Sequence, residues 1–108
     1  MTREMTVGLF RRKNKTGTLR TASSTDLDHL ADFLSTRRGV EAFVEPRTTV
    51  TETTVVLVAA DGEWTRRRVG GADGAAAFAK KNKIPMYDVG VVGYPKRMRE
   101  WTARQKER

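Results

Sequence analysis

A chain of 108 residues has room for one hydrophobic core and not for two. It is 38% hydrophobic and 31% charged, with a formal net charge of +8, which suits a modest globular core rather than a disordered chain. There is no cysteine, which excludes disulfides, thiolate zinc sites and cysteine nucleophiles. The longest apolar run, Val55 to Ala60, falls far short of the ~20 residues that span a bilayer.

The charge is unevenly placed. Residues 1–23 hold six basic side chains against one acidic, a net of +5, and residues 94–108 hold six against two, a net of +4. Residues 24–93 carry nine basic and ten acidic groups, a net of −1. The excess therefore lies in two arms around a balanced centre, a layout suited to an anionic partner.

In chain order, residues 1–23 show no periodicity and read as a flexible basic N-terminal arm. A short strand near Val7–Phe10 is conceivable. Arg11, Arg12 and Lys13 follow that apolar stretch instead of preceding it, so no signal peptide is expected and a cytoplasmic protein is the default. A helix is predicted over about Asp26–Arg38, with Thr25 as N-cap, Asp26 and Asp28 in its first turn and Gly39 as its left-handed stop. Leu27, Leu30, Ala31 and Leu34 form its apolar stripe, with Phe33 at the edge.

Val40–Glu45 reads as a short strand ended by Pro46, and Thr51–Ala60 as a central strand. Asp61-Gly62 signals a two-residue hairpin. Glu63–Val69 then returns with Ala59 opposite Trp64, Leu57 opposite Arg66 and Val55 opposite Arg68. Trp64, Arg66 and Arg68 would share a face, with Thr65, Arg67 and Val69 on the other. Gly70-Gly71 breaks the strand, and Asp73 is expected to cap a second helix to about Lys81. Asp88–Gly93 reads as a last strand. Pro95 opens a basic C-terminal helix whose Met98, Trp101 and Gln105 could dock on the body. The expectation is an α+β fold: a small antiparallel sheet of three to four strands, two helices packed on it, and the C-terminal helix. Its parts are an arm over 1–23, one domain over 24–94 and the basic helix over 95–108.

The inventory for catalysis is thin. His29 is the one histidine; Asp28 and Asp32 flank it on a polar helix face, but no further strong metal ligand joins them. Ser23, Ser24 and Ser35 are near His29 in sequence without a nucleophile elbow. Gly70-Gly71-Ala72-Asp73-Gly74 joins strand to helix as phosphate loops do, yet it lacks the Lys-Ser/Thr of a P-loop, and Asp73 would put negative charge where a phosphate should lie. A small-molecule binder would need a concave apolar pocket, which a core this thin is not expected to form. No catalytic, metal or cofactor residue is therefore expected.

Arginines beside an aromatic residue on a sheet are what a stacked base or single strand would use. The structural alternative is that Trp64 covers the hairpin's apolar side while the arginine stems extend over it. The order helix–strand–strand–strand–helix over 25–82 resembles the double-stranded RNA-binding domain, although Gly74, Ala75 and Ala76 stand where that family's lysine cluster would be, so no phosphate-binding residue carries over. The runs VEPRTTVTETTVVLVAADGEWTRRRVG and YPKRMREW are similar to small uncharacterised actinobacterial proteins, which implies a bacterial origin and nothing about activity.

The expected function is that of a non-enzymatic, nucleic-acid-associated accessory protein. RNA or a ribonucleoprotein is preferred over DNA, since no recognition helix is evident. The expected contacts are Arg11, Arg12, Lys13 and Lys15 in the arm, Trp64, Arg66, Arg67 and Arg68 on the hairpin, and Lys96, Arg97, Arg99 and Arg104 in the last helix. The alternative is an adaptor whose basic ends meet an acidic protein.

Overall fold

The computed structural model describes residues 23–107; the N-terminal arm, with Arg11, Arg12, Lys13, Lys15 and the strand considered at Val7–Phe10, lies outside them. Helix α1 spans Ser24–Thr36 and begins two residues earlier than its periodicity suggested. Ser23 is the N-cap: its hydroxyl accepts from the Asp26 amide at 3.0 Å, and the Asp26 carboxylate accepts from the Ser23 amide at 3.3 Å. This reciprocal pair satisfies two donors at once, and it replaces the expected Thr25 cap. At the other end Arg37 turns extended, at φ −120° and ψ 157°. There its guanidinium lies 4.5 Å from the Phe33 ring centroid and pairs with Glu63 at 2.7 Å. Leu30 and Phe33 form the buried face of α1, whereas Leu27 is 39% exposed.

The strands are β1 (Glu41–Glu45), β2 (Thr54–Val58), β3 (Trp64–Arg68) and β4 (Met86–Asp88). They lie in the order β3-β2-β1-β4. The expected antiparallel sheet is in fact mixed: β2 runs antiparallel to both β1 and β3, but β4 runs parallel to β1, with Phe43 opposite Tyr87. Helix α2 (Gly71–Asn82) carries the chain back over the sheet between β3 and β4, the kind of connection that a parallel neighbour requires.

The β2–β3 hairpin also departs from expectation by one residue. Trp64 pairs with Val58, Arg66 with Val56 and Arg68 with Thr54. The loop has three residues, not two: the Ala59 amide donates to the Glu63 carbonyl at 2.8 Å, and the Gly62 amide donates to the Ala59 carbonyl at 2.9 Å. Gly62 holds φ +98°, the left-handed closing position of a three-residue hairpin. Its extra residue moves every pair by one. The face shared by Trp64, Arg66 and Arg68 survives, because alternation along β3 does not depend on register.

Both faces of the sheet are covered. On one, Ala42, Val55 and Leu57 meet Leu30 and Phe33 of α1 and Ala75 and Phe78 of α2. On the other, Phe43, Val56 and Val58 meet Met98, with Trp64, Val89 and Tyr94 packed around them. Val55, Val56, Leu57 and Val58 are all fully buried, which accounts for a central strand apolar on successive residues. Helix α2 begins at Gly71, with Gly70 in the N-cap position, and Asp73 lies in its first turn instead of capping it. A Cβ at Gly74 would lie 1.7 Å from the Val69 carbonyl oxygen, so glycine there lets α2 press on the end of β3.

The last strand is shorter and earlier than expected. After Asp88 the chain makes a helical turn, α3 (Val89–Val92), because the Asp88 side chain accepts from the Gly90 amide at 2.6 Å and caps it. Helix α4 (Lys96–Lys106) follows and lies on the second face, with Met98 buried.

Candidate nucleic-acid interface

Alternation along β3 sends its residues to two environments. Thr65 and Arg67 point towards α1. His29 Nε2 lies 2.6 Å from the Thr65 hydroxyl, Arg67 Nε is 3.6 Å from Asp26, and Arg67 Nη1 donates to the Arg66 carbonyl at 2.8 Å. Trp64 and Arg66 point towards α4. The Trp64 ring is half-buried against the Phe43–Val56–Val58–Met98 cluster, and its Nε1 donates to the Thr102 hydroxyl at 2.8 Å. The Arg66 guanidinium stands 5.2 Å from that ring centroid. In the described arrangement Trp64 fastens α4 to the sheet, and its indole is flanked by protein on the Arg66 side.

Arg66 is held in turn by Glu45, through Nε at 2.7 Å and Nη2 at 2.9 Å. Glu45 also accepts from Thr54 at 2.6 Å and from the Tyr94 hydroxyl. Burial alone would raise the Glu45 carboxyl, but the bonds from Arg66, Thr54 and Tyr94, with the Arg66 charge, hold it below the usual carboxylate range. The same bond to Glu45, aided by burial, raises the Tyr94 hydroxyl. Glu45 thus ties the end of β1 to β2, to β3 and to the start of α4.

The basic residues of α4 divide by direction. Arg97 faces the body: Nε donates to the Ala59 carbonyl at 2.9 Å, and Nη2 to Glu41 at 2.8 Å and to the Val58 carbonyl at 3.3 Å. Arg104 Nη2 donates to the Asp61 carbonyl at 3.1 Å. These two guanidiniums bind α4 to the hairpin end. Arg99 donates to the Tyr94 carbonyl at 2.8 Å through Nη1 and is otherwise exposed, and Lys96 lies 3.8 Å from Glu100 on the surface. A shallow groove of about 280 Å³ runs along α4 over Tyr94, Met98 and Thr102, with Arg99 and Lys106 beside it. Arg68 is exposed at the end of the same face of β3.

Among the expected contacts, the structure brings Trp64, Arg66, Arg97 and Arg99 to the α4 side of the sheet, turns Arg67 to the α1 side, and leaves Lys96 at the outer start of α4. Tyr94, Glu45 and Lys106 were missed as members of this region. The spacing Tyr94–Met98–Thr102–Lys106, four residues at each step, carried the signal for the helix face. Nothing local marked Glu45, whose partners are 9 to 49 residues away. Among the described residues, no three His, Cys, Asp or Glu side chains gather as a metal would require, and no helix is long and apolar enough to cross a membrane. Compared with known proteins, the chain matches no family model, no curated protein and no solved structure.

Proposed function

We propose that the protein is a non-enzymatic accessory protein associated with nucleic acid, RNA in preference to DNA. The observation that carries this reading is the outer side of α4. Lys96, Arg99 and Lys106 come to one side of that helix around Ala103, with Arg99 and Lys106 flanking the groove, while Arg97 and Arg104 hold the helix in place. A basic helix whose position is fixed by other arginines supplies phosphate contacts at low entropic cost. The cationic N-terminal arm, with Arg11, Arg12, Lys13 and Lys15, adds further phosphate contacts at the other end of the chain. Sequence preference is not expected from such contacts, since phosphates carry none.

The test is RNA affinity as a function of salt. For about five phosphate contacts on a single strand, log affinity against log salt should slope near −3 to −4, at about −0.7 per contact. Replacing Arg99 and Lys106 together by glutamine should make the slope shallower by about 1.4 without unfolding the domain, because both are surface groups. Deleting residues 1–20 should remove a further share. A flat slope, or weak binding at every salt together with a protein partner that survives nuclease treatment, would replace this reading with that of an adaptor for an acidic protein.

A further inference from the structure

Contrary to the expectation that the thin core leaves no pocket, a cavity of about 490 Å³ opens where β1, β3 and β4 end and β2 begins. It lies on the α1–α2 side of the sheet, because Val44 and Thr53 in its wall share the face of Ala42 and Val55. The carboxyl ends of strands beside a helix N-terminus are where α/β sheets bind ligands. Three features of the lining are unexplained by the fold alone.

The first is the start of α2. Gly70 has no side chain to cap it, and the first backbone bond runs from the Gly74 amide to the Gly70 carbonyl at 3.3 Å. The amides of Gly71 and Ala72, both residues of the cavity wall, therefore precede the helical ladder, at the positive end of its dipole. The second is Thr53, 4% exposed, whose hydroxyl is hydrogen-bonded by none of the described residues. Buried hydroxyls are normally paired, so this one stands as an unfilled partner in the cavity wall. The third is Arg47, exposed on the opposite rim, with no ion pair or hydrogen bond to its side chain among the described residues. Asp73, in the same first turn, is exposed to solvent and outside the cavity wall.

The remaining polar groups have the opposite sign. Glu52 and Asp88 also line the cavity. Glu52 has a partner of its own, and Asp88 spends one oxygen on the Gly90 amide, but a carboxylate has about four acceptor positions and retains capacity. A phosphate dianion would meet both carboxylates, and a simple cation would meet Arg47 and the helix dipole. A ligand with both charges meets neither conflict, and Val44 and Ala72 offer apolar wall for its body.

We propose that this cavity binds a small zwitterion, a free α-amino acid, with its carboxylate on the α2 amides, the Thr53 hydroxyl and Arg47, and its ammonium between Glu52 and Asp88. The site is independent of the surface on α4 and of what that surface binds.

The test is an amide-resolved NMR titration of the full chain with each of the common L-amino acids at about 10 mM, and with inorganic phosphate, where a Kd near 1 mM gives clear saturation. At least one amino acid should give saturable shifts at Gly71, Ala72 and Thr53. Its N-acetyl and its amide derivatives should each bind about tenfold more weakly, having lost one charge-assisted partner. Arg47→Gln, on the surface, and Thr53→Val, of nearly the same shape, should each weaken binding severalfold. Arg47→Gln alone decides the matter if Thr53→Val disturbs the fold. The proposal is overturned if no amino acid saturates, if a blocked derivative binds as well as the parent, if phosphate binds more tightly than any amino acid, or if Arg47→Gln leaves the affinity unchanged.

Discussion

Replacing Gly62 by valine probes the joint between the hairpin and α4. Two effects add at this position. At φ +98° a β-branched residue carries strain of about 1–3 kcal/mol. A Cβ there would also lie 2.1 Å from the Arg97 carbonyl oxygen and 2.9 Å from Trp101 Cβ, so α4 must retreat. If Met98 then loses its burial, about 1.5–3 kcal/mol follows, and losing the Trp64–Thr102 bond adds about 1 kcal/mol. The sum is roughly 3.5–7 kcal/mol, a large share of the stability of a domain this size at ~0.05–0.15 kcal/mol per residue. Gly71 provides the control, since it holds φ +77° with no atom within 4 Å of where a Cβ would lie. Gly71→Val should show the strain alone. Thermal unfolding by circular dichroism should place the Gly71 variant about 4–8 °C lower for each kcal/mol of strain. The Gly62 variant should be far lower still or already unfolded, with tryptophan emission shifted to the red at 25 °C. Equal losses in the two variants would refute the claim that α4 packs its backbone against this turn.

Two other perturbations test the second face. The Glu45 carboxyl is held below its ordinary range in the folded state, so its stabilisation is complete above the unfolded value of about 4.3 and is lost as pH falls through the lower folded value. Urea unfolding at several pH values from 7 to 3 should show stability falling below that point in the wild type, with a smaller acid-dependent loss in Glu45→Gln and a lower baseline at pH 7. Trp64→Phe keeps the ring in the cluster but removes the donor to Thr102, and should lower the urea midpoint by the equivalent of about 0.5–1.5 kcal/mol with an unchanged m-value.

How far the sequence could be read depended on the range of the interaction. Helix α1 was legible because its apolar spacing lies within thirteen residues. Its cap is Ser23 and not the expected Thr25, since each is followed three residues on by an aspartate and the local pattern alone does not choose between them. Asp61-Gly62 announced a turn without stating its length, since glycine at positive φ closes two- and three-residue hairpins alike. The register therefore slipped by one while the common face of Trp64, Arg66 and Arg68 was right. Val89, Val91 and Val92 read as a strand by composition, and the Asp88 side chain overrode them by capping a helical turn. In the candidate site the number of arginines was plain, but their acceptors were not. Arg66 finds Glu45 21 residues away, and Arg97 finds Glu41 56 residues away. No periodicity connects such positions, so which cations hold the fold and which face outward emerged only from the folded chain.

The strand β3 has a consequence for how copies of the protein tolerate one another. In the described sheet it stands at one edge and carries three successive arginines, Arg66, Arg67 and Arg68, while β4 at the opposite edge is three residues long. Two molecules that tried to extend the sheet through β3 would set these rows against each other, and although Glu45 and Asp26 offset part of the charge of Arg66 and Arg67, like charges across a strand pair repel. The arginine edge therefore works as a guard against crowding into fibres at high concentration, and the short β4 offers little template in its place. The guard is electrostatic, so it is conditional: a polyanion that neutralises the row would remove it and leave a strand edge exposed to its neighbours.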